Sequence, residues 1–137
     1  MIYLRLFCIF LLIFLISGLK IVAQTRSQIF ELDEIKFQEA IKKSPNLLNK
    51  NDWVFLKKSA DDSMDSGQFS KAVEYSKKSV ILAEKLKDNL LKARSFHTLG
   101  RSYQSLEDVE KAYTNYNDSL STYELLDRSE EILIEVN

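Results

Sequence analysis

Apolar residues recur at three- and four-residue intervals along most of the chain after residue 23, which is the spacing of amphipathic helices. The first such stretch predicts a helix over Ser27–Lys43 that stops before Pro45, because proline cannot continue a helix. Asp52 is the predicted N-cap of a second helix, Trp53–Ser66, whose apolar positions all fall on one face. The chain therefore reads as a series of amphipathic helices.

The pattern after Gly67 continues in the same way, with Gly67 ending the second helix and Asp88 and Asp108 as N-caps further on. The helices that follow are predicted at Ser70–Lys87, Asn89–Ser105, Val109–Asp127 and, as an incomplete last helix, from Ser129. Only three Gly and one Pro occur in the whole sequence, which favours long helices over a turn-rich fold.

The helical pattern repeats with a period of 40 residues, so that Ala60 falls on Gly100, Ala72 on Ala112 and Val80 on Leu120. Small residues at a constant phase are what close helix packing requires. We therefore predict an all-α fold in which antiparallel helix hairpins stack as a short α-solenoid. The alternative is an ordinary four-helix bundle whose self-similarity is accidental.

The later copy of this pattern resembles the tetratricopeptide repeat, whose signature is W-x2-L-G-x2-Y…A-x3-F. The matching residues, with Phe in place of Trp, are Phe96, Leu99, Gly100, Tyr103, Ala112 and Tyr116. The earlier copy keeps Ala60, Gly67 and Ala72, but serines stand at positions where the family has bulkier residues. The resemblance covers the repeats (52–137, with copies at 53–88 and 89–128 and a truncated third from 129). The remaining divisions are a signal peptide (1–23), for which the leader pattern is given below, and an N-terminal helix and connector (24–51).

In this family the first helix of each repeat lines a concave groove that binds peptides or other proteins. The resemblance therefore implies a non-enzymatic protein-binding or peptide-binding module without a cofactor or metal. In the register above, the groove residues are Val54, Lys57, Asp61, Met64 and Asp65 from the first copy and Arg94, His97, Arg101 and Gln104 from the second. Among these, Asp61 and Arg101 could pair with each other or read charges on a partner.

The N-terminus has the organisation of a secretory signal peptide. Arg5 precedes an apolar run of eleven residues, Leu6–Ile16, which is too short to span a bilayer, and Ala23 offers a cleavage point. We expect export to the periplasm or cell envelope. The alternative is an uncleaved N-terminal anchor that reaches Val22.

A leader followed by long-period repeats resembles the N-terminal part of bacterial envelope signalling proteins, which carry a sensor histidine kinase or helix-turn-helix output domain. That resemblance implies a sensing or scaffolding role in signal transduction. The alternative is an N-terminal fragment of a sensor histidine kinase whose catalytic domain lies beyond Asn137. Membrane contact is expected only through the leader or a missing downstream segment.

Charge and cysteine content narrow the possible functions. The formal charge is −1, from 19 basic and 20 acidic residues, which argues against nucleic-acid binding because that needs a basic surface. The one cysteine, Cys8, lies in the leader, so disulfide, zinc-thiolate and thiol chemistry are not expected after cleavage.

Little in the sequence indicates catalysis. His97 is the lone histidine and has no neighbouring acid or cysteine in the pattern, so we expect a solvated or groove-lining side chain. Asp61, Asp62 and Asp65 form a D-D-x-x-D motif that resembles the magnesium–diphosphate site of isoprenoid synthases, but the chain is too short to enclose the cavity of those enzymes. We expect these aspartates, and likewise the pairs Lys57–Lys58 and Lys77–Lys78, to form solvated faces.

Overall fold

The computed structural model describes residues 26–135, with side chains as far as Asp127. The helices of this range are α1 (described part, residues 26–30), α2 (Glu34–Lys43), α3 (Lys50–Asp65), α4 (Phe69–Leu86), α5 (Asn89–Ser105) and α6 (Val109–Glu135). Between residues 26 and 135 every regular element is a helix, so the all-α prediction is confirmed. The predicted leader lies outside the described residues.

The single helix predicted over Ser27–Lys43 is wrong, because the structure divides it at residues 31–33. Asp33 is the N-cap of α2, and its side chain accepts a hydrogen bond from the backbone N–H of Lys36 at 2.9 Å. An N-cap satisfies an amide that a new helix leaves free, so this carboxylate favours a fresh start over continuation. Hydrogen bonds from the side chain and the backbone of Lys36 also hold the pKa of Asp33 below its ordinary value.

Helix α3 begins one turn before the predicted start. The prediction made Asp52 the N-cap, whereas Asn49 holds that position and Asp52 is the third residue of the helix. The two form a capping box, in which the backbone N–H of Asn49 donates to Asp52 Oδ2 at 2.7 Å. Both residues therefore accept hydrogen bonds from amides at the helix start. The prediction recognised Asp52 as a capping residue but gave it the N-cap position that Asn49 holds.

The predicted turns between α3 and α6 agree with the structure. Gly67 adopts the left-handed conformation, with φ +71°, in the turn between α3 and α4. Asp88 caps α5 by accepting from the backbone N–H of Leu91 at 3.0 Å. Asp108 precedes α6 and accepts from the backbone N–H of Lys111 at 3.2 Å. Lys87 supplies a second left-handed residue, with φ 54°, at the end of α4.

The predicted break between a second and a truncated third copy at Ser129 is not present. Helix α6 runs without interruption from Val109 to Glu135. The segment across the predicted boundary contains no Gly or Pro, so no residue there opposes continuation of the helix. Ser129, which the prediction treated as the start of a new helix, lies inside α6. The chain from α3 to α6 therefore forms two helix hairpins, α3–α4 and α5–α6.

Each helix from α3 to α6 packs against the next one along the chain, and short connections make these neighbours antiparallel. Helix α5 also contacts α3, so the first helices of the two hairpins lie side by side. Helix α2 contacts α4 and thereby packs against the first hairpin. This arrangement of stacked hairpins confirms the predicted repeat architecture.

The core consists of two apolar clusters. The first joins the N-terminal helices to the first hairpin, with Phe37, Trp53 and Leu56 at its centre. The second lies between α4, α5 and α6, and it contains Val73, Val80, Leu99, Tyr103 and Ala112. Partly buried Phe96 and Tyr116 pack against this second cluster. The apolar signature residues of the second copy thus lie in the cluster formed by α4, α5 and α6.

Gly100 is the point of closest approach within the second hairpin. A Cβ atom built at this position would lie 2.8 Å from Tyr116 Cδ1 and Cε1 and 3.2 Å from Cγ. The ring of Tyr116 therefore occupies the space that a side chain at residue 100 would need. The φ of Gly100 lies in the ordinary helical region, so the backbone conformation does not require glycine. Glycine is required because a side chain at this position would overlap the Tyr116 ring.

Lys78 contradicts the prediction that the Lys77–Lys78 pair is solvated, since only 1% of Lys78 is exposed. Its Nζ donates to the backbone oxygen of Phe30 and to Glu74 Oε1, both at 2.6 Å, and lies 6.0 Å from the centre of the Phe37 ring. A buried ammonium is tolerated when its donors are satisfied. Lys78 therefore fixes the end of α1 to α4.

Lys77 is half-buried and pairs with an acid on another helix. Its Nζ forms a 3.0 Å ion pair with Glu34 Oε2 at the start of α2. The hydrogen bond with Glu34 raises the pKa of Lys77 above its ordinary value. The two neighbouring lysines thus hold α1 and α2 to α4 by different contacts.

Candidate functional site

The candidate site is the exposed side of α3 and α5, which we call the A-helix face. It consists of Val54, Lys57, Asp61, Asp65, Arg94, His97, Arg101 and Gln104, each of which is exposed or half-buried. These are the predicted groove residues without Met64. Because α3 and α5 lie side by side, one partner segment could contact both helices at once.

Met64 is the predicted groove residue that the structure places elsewhere. Its exposed fraction is 9%, and its Sδ lies 3.7 Å from the hydroxyl of Ser102 on α5. Met64 does lie on the same helix as Asp61, one turn later, but its side chain packs in the contact between α3 and α5. Met64 therefore stabilises the stack of hairpins and is not part of the A-helix face.

Asp61 links the two halves of the face. Its Oδ1 lies 3.1 Å from Arg101 Nη1, and its Oδ2 lies 2.8 Å from Lys57 Nζ. The predicted pairing of Asp61 with Arg101 is confirmed. These two residues stand 40 positions apart, so they occupy the same position in consecutive hairpins. Because this position is acidic in the first copy and basic in the second, the two side chains can form an ion pair.

The α5 half of the face is cationic. Helix α5 contains no Asp or Glu, while Arg94 and Arg101 both lie exposed on it. Among the described residues Arg94 forms no ion pair, whereas Arg101 is held by Asp61. Arg94 therefore has a charged group available for a partner.

His97 lies beside an aromatic ring at the edge of the face. Its ring centre is 5.6 Å from that of Tyr116, and the planes are inclined by 54°. The hydroxyl of Tyr116 donates to Gln104 Oε1 at 2.8 Å. His97 thus contributes a polar ring to a surface patch whose other members are Tyr116 and Gln104.

Two aspartates of the D-D-x-x-D motif, Asp61 and Asp62, form ion pairs, and Asp65 is exposed. Asp61 serves Lys57 and Arg101, and Asp62 Oδ2 accepts from Lys58 Nζ at 2.6 Å. The hydrogen bond with Asp62 raises the pKa of Lys58. Among the side chains that the structure describes, residues 26–127, no group of three acidic, histidine or cysteine side chains is arranged to hold a metal ion. The motif forms a charged, largely solvated face, as the sequence predicts.

Sequence reasoning missed a set of buried hydroxyls that form hydrogen bonds between helices, two of them between the hairpins and one within the second hairpin. The Trp53 indole N–H donates to Ser95 Oγ at 2.7 Å, and Ser76 and Ser102 hydroxyls lie 2.9 Å apart. Ser119, part of the N-x-S sequon at Asn117, donates to the backbone oxygen of Ala93 at 2.9 Å. Only Ser76 carried a signal, as a serine at a position of the repeat where a bulkier residue is usual, but its partner Ser102 lies on another helix.

Two of the grooves on the described surface are lined mainly by apolar atoms. One of about 350 Å³ lies between α2 and α4, lined in part by Ile41, Pro45 and Ile81. The other, of about 240 Å³, lies beside the turn that joins α5 to α6, and we call it the end groove. It is lined by Gln104, Val109, Ala112, Tyr113 and Tyr116. Gln104 belongs to both the A-helix face and the end groove, so the two surfaces are continuous.

Comparison with known families gives one result that bears on this geometry. A tetratricopeptide-repeat family model matches residues 56–124, which is half of the chain and covers most of both hairpins. No curated protein and no solved structure matches the chain significantly.

Proposed function

The chain belongs to the tetratricopeptide-repeat family, and we propose that it is a non-enzymatic module that binds a protein or peptide on the A-helix face. Proteins built from this repeat generally mediate protein–protein interactions, which supports the broad class of function. The observation that carries the more specific proposal is the pairing of Asp61 with Arg101. It joins α3 and α5 on their exposed sides, while Arg94, two turns earlier on α5, forms no ion pair with any described side chain.

The charge of the face supports an acidic partner segment. Asp61 is neutralised by Lys57 and Arg101, whereas no described acid neutralises Arg94. An arginine fork binds a carboxylate with two parallel hydrogen bonds and contributes more when water is excluded. We infer an extended segment that places an Asp or Glu against Arg94 and polar groups near His97 and Gln104.

We further propose that the module acts outside the cytoplasm, in the periplasm or cell envelope, as the sensing or scaffolding part of a signalling protein. The support is the leader pattern of residues 1–23 followed by long-period repeats. Sequencing the N-terminus of the protein recovered from the envelope fraction tests export, with cleavage after Ala23 as the expected result. A chain that retains Met1 in the membrane fraction would support the anchored alternative.

The second candidate function is that of the N-terminal part of a sensor histidine kinase. The same leader and repeats favour it, with catalysis supplied by a domain beyond Asn137. The coding sequence downstream of Asn137 decides between the two: an apolar span followed by kinase motifs supports the kinase, and a stop codon excludes it.

Site-specific photo-cross-linking tests binding at the A-helix face. A photoreactive amino acid replaces His97 in one version of the full chain and Lys71, which is exposed on α4, in another. We expect cross-links to a protein partner from position 97 and not from position 71, and we expect Arg94→Glu to remove them. Equal labelling from both positions would contradict the assignment of this face.

A further inference from the structure

The end groove is the counterpart, in the second hairpin, of a groove that is filled in the first. Moving its lining back by 40 residues gives Met64, Phe69, Ala72, Val73 and Ser76. Helix α5 occupies that earlier groove, with the Ser102 hydroxyl 3.7 Å from Met64 Sδ and 2.9 Å from Ser76 Oγ. The fold therefore contains its own example of what covers this kind of surface.

The exposure of matching positions shows the difference between the two grooves. Val73 is 9% exposed, whereas Tyr113, its counterpart on α6, is 68% exposed. Val80 is 9% exposed, and its counterpart Leu120 is 58% exposed. Val109 and Tyr123 extend the same exposed stripe, since all four lie at spacings of three, four or seven residues on α6. Within the described residues no helix covers this stripe.

We propose that the end groove and this stripe form a docking site for an amphipathic α-helix of a partner protein, which enters as α5 enters the first hairpin. The docked helix presents a small residue where α5 presents Ser102, flanked by apolar residues such as those at Leu99 and Tyr103. This site adjoins the A-helix face at Gln104, and the proposal does not depend on binding at that face.

The partner helix needs a small residue at its contact with the end groove because the side chains that line this groove are large. Tyr116 stands where the first hairpin has Ser76, so less room is left for the side chain of the incoming helix. The exposed stripe of α6 itself consists of Val109, Tyr113, Leu120 and Tyr123, with no small residue. A second copy of the chain therefore lacks the required shape on its exposed stripe, and its α5 is already packed in its own hairpins.

The charge of α6 determines the flanks of the partner helix. The described side chains of α6 include Glu110, Asp118, Glu124 and Asp127, against a single base, Lys111, which forms an ion pair with Asp108 at 2.6 Å. Glu110 lies three residues before Tyr113, and Glu124 four residues after Leu120, so both adjoin the stripe. The partner helix is expected to carry Lys or Arg beside its apolar face, because opposite charges favour the correct register.

A synthetic peptide with the sequence of α5 and its caps, residues 88–106, is the probe for this site. It contains Ser102 between Leu99 and Tyr103, and apart from the N-terminal Asp88 its charged side chains are all basic. If the peptide is labelled and titrated with the full chain, fluorescence anisotropy should show saturable binding with a dissociation constant below about 1 mM. Replacing Ser102 in the peptide by Trp should abolish that binding.

Two leucines on the same helix supply matched variants. Leu120 lies on the stripe and Leu125 lies off it, and their exposed fractions are 58% and 62%. We expect Leu120→Asp to weaken the peptide at least about tenfold and Leu125→Asp to change its affinity less than about twofold. Arg94→Glu should leave peptide binding unchanged, which separates this site from the A-helix face.

Three outcomes would overturn the proposal. The first is no binding of the peptide, and the second is equal weakening by Leu120→Asp and Leu125→Asp. The third is dimerisation of the chain alone, measured by sedimentation and reversed by Leu120→Asp, because it would assign the stripe to a second copy.

Discussion

The contact between Gly100 and Tyr116 allows a prediction in which the sign of a substitution depends on its neighbour. Replacing a glycine inside a helix by alanine normally stabilises by about 1 kcal/mol, because alanine restricts the unfolded chain. At residue 100 the added Cβ would lie 2.8 Å from two ring carbons of Tyr116 and 3.2 Å from Cγ, close to the base of that side chain. The ring cannot move away without changing χ1, so the substitution overpacks the hairpin.

Overpacking of this kind costs about 1–3 kcal/mol, which exceeds the gain in helix propensity. We therefore expect Gly100→Ala to lower the free energy of unfolding by up to about 2 kcal/mol. In the Tyr116→Ala background the ring is absent, and the same substitution should raise that free energy by about 1 kcal/mol. The larger change Gly100→Leu should destabilise more than Gly100→Ala.

Urea denaturation followed by circular dichroism measures all four members of this double-mutant cycle. Tyr116→Phe is the control, since it keeps the ring and removes only the hydroxyl that donates to Gln104. In that background Gly100→Ala should still destabilise. The packing argument would be refuted if Gly100→Ala stabilised the wild-type chain as much as it stabilises the Tyr116→Ala variant.

Three further predictions concern the contacts that join the elements. Ser95→Ala removes the acceptor of the buried Trp53 indole N–H, and we expect a loss of about 1–3 kcal/mol in the free energy of unfolding together with a shift in the emission of this single tryptophan. Ser105→Ala, which removes a hydroxyl bonded within its own helix, should cost less than about 0.5 kcal/mol, and equal effects would contradict the assignment. Lys78→Met removes the donor to Phe30, so amide exchange in residues 26–33 should become about tenfold faster while that of α5 is unchanged; uniform change along the chain would contradict a local role. Hydrogen bonds from Lys111 hold the pKa of Asp108 below its ordinary value of 3.8, so the stability that the charged cap contributes is complete above about pH 4 and is lost as the pH falls through the lower folded pKa. Asp108→Asn keeps a cap that does not titrate, so its difference in melting temperature from the wild type should be constant above about pH 5 and change only below about pH 4.

The positions of the helices could be predicted from the sequence because helix periodicity and caps are local signals. Asp88 and Gly67 mark their boundaries with side-chain and backbone chemistry that acts within a few residues. The register of the two hairpins was also predictable, since Ala60 and Gly100 keep the same phase. The bridge between Asp61 and Arg101 followed from that register.

Burial of polar side chains could not be predicted, because it depends on partners far along the chain. Lys78 is buried by a backbone oxygen 48 residues away, and Ser76 is satisfied by Ser102 across the hairpin interface. Met64 was assigned to the exposed face because spacing alone does not show how far α5 covers α3. The division of the N-terminal helix at Asp33 depended on a choice between two local patterns that the sequence permits equally.

The measurement that tests the proposed function most directly is selection from a random peptide library on the purified full chain. We expect the selected peptides to be enriched in Asp and Glu, and Arg94→Glu to weaken their binding at least about tenfold. Lys71→Glu is the matched control, because it makes the same charge change on an exposed lysine of α4 and should leave affinity unchanged. Selection of neutral or basic peptides, or equal loss of binding in the two variants, would contradict a partner site on the A-helix face.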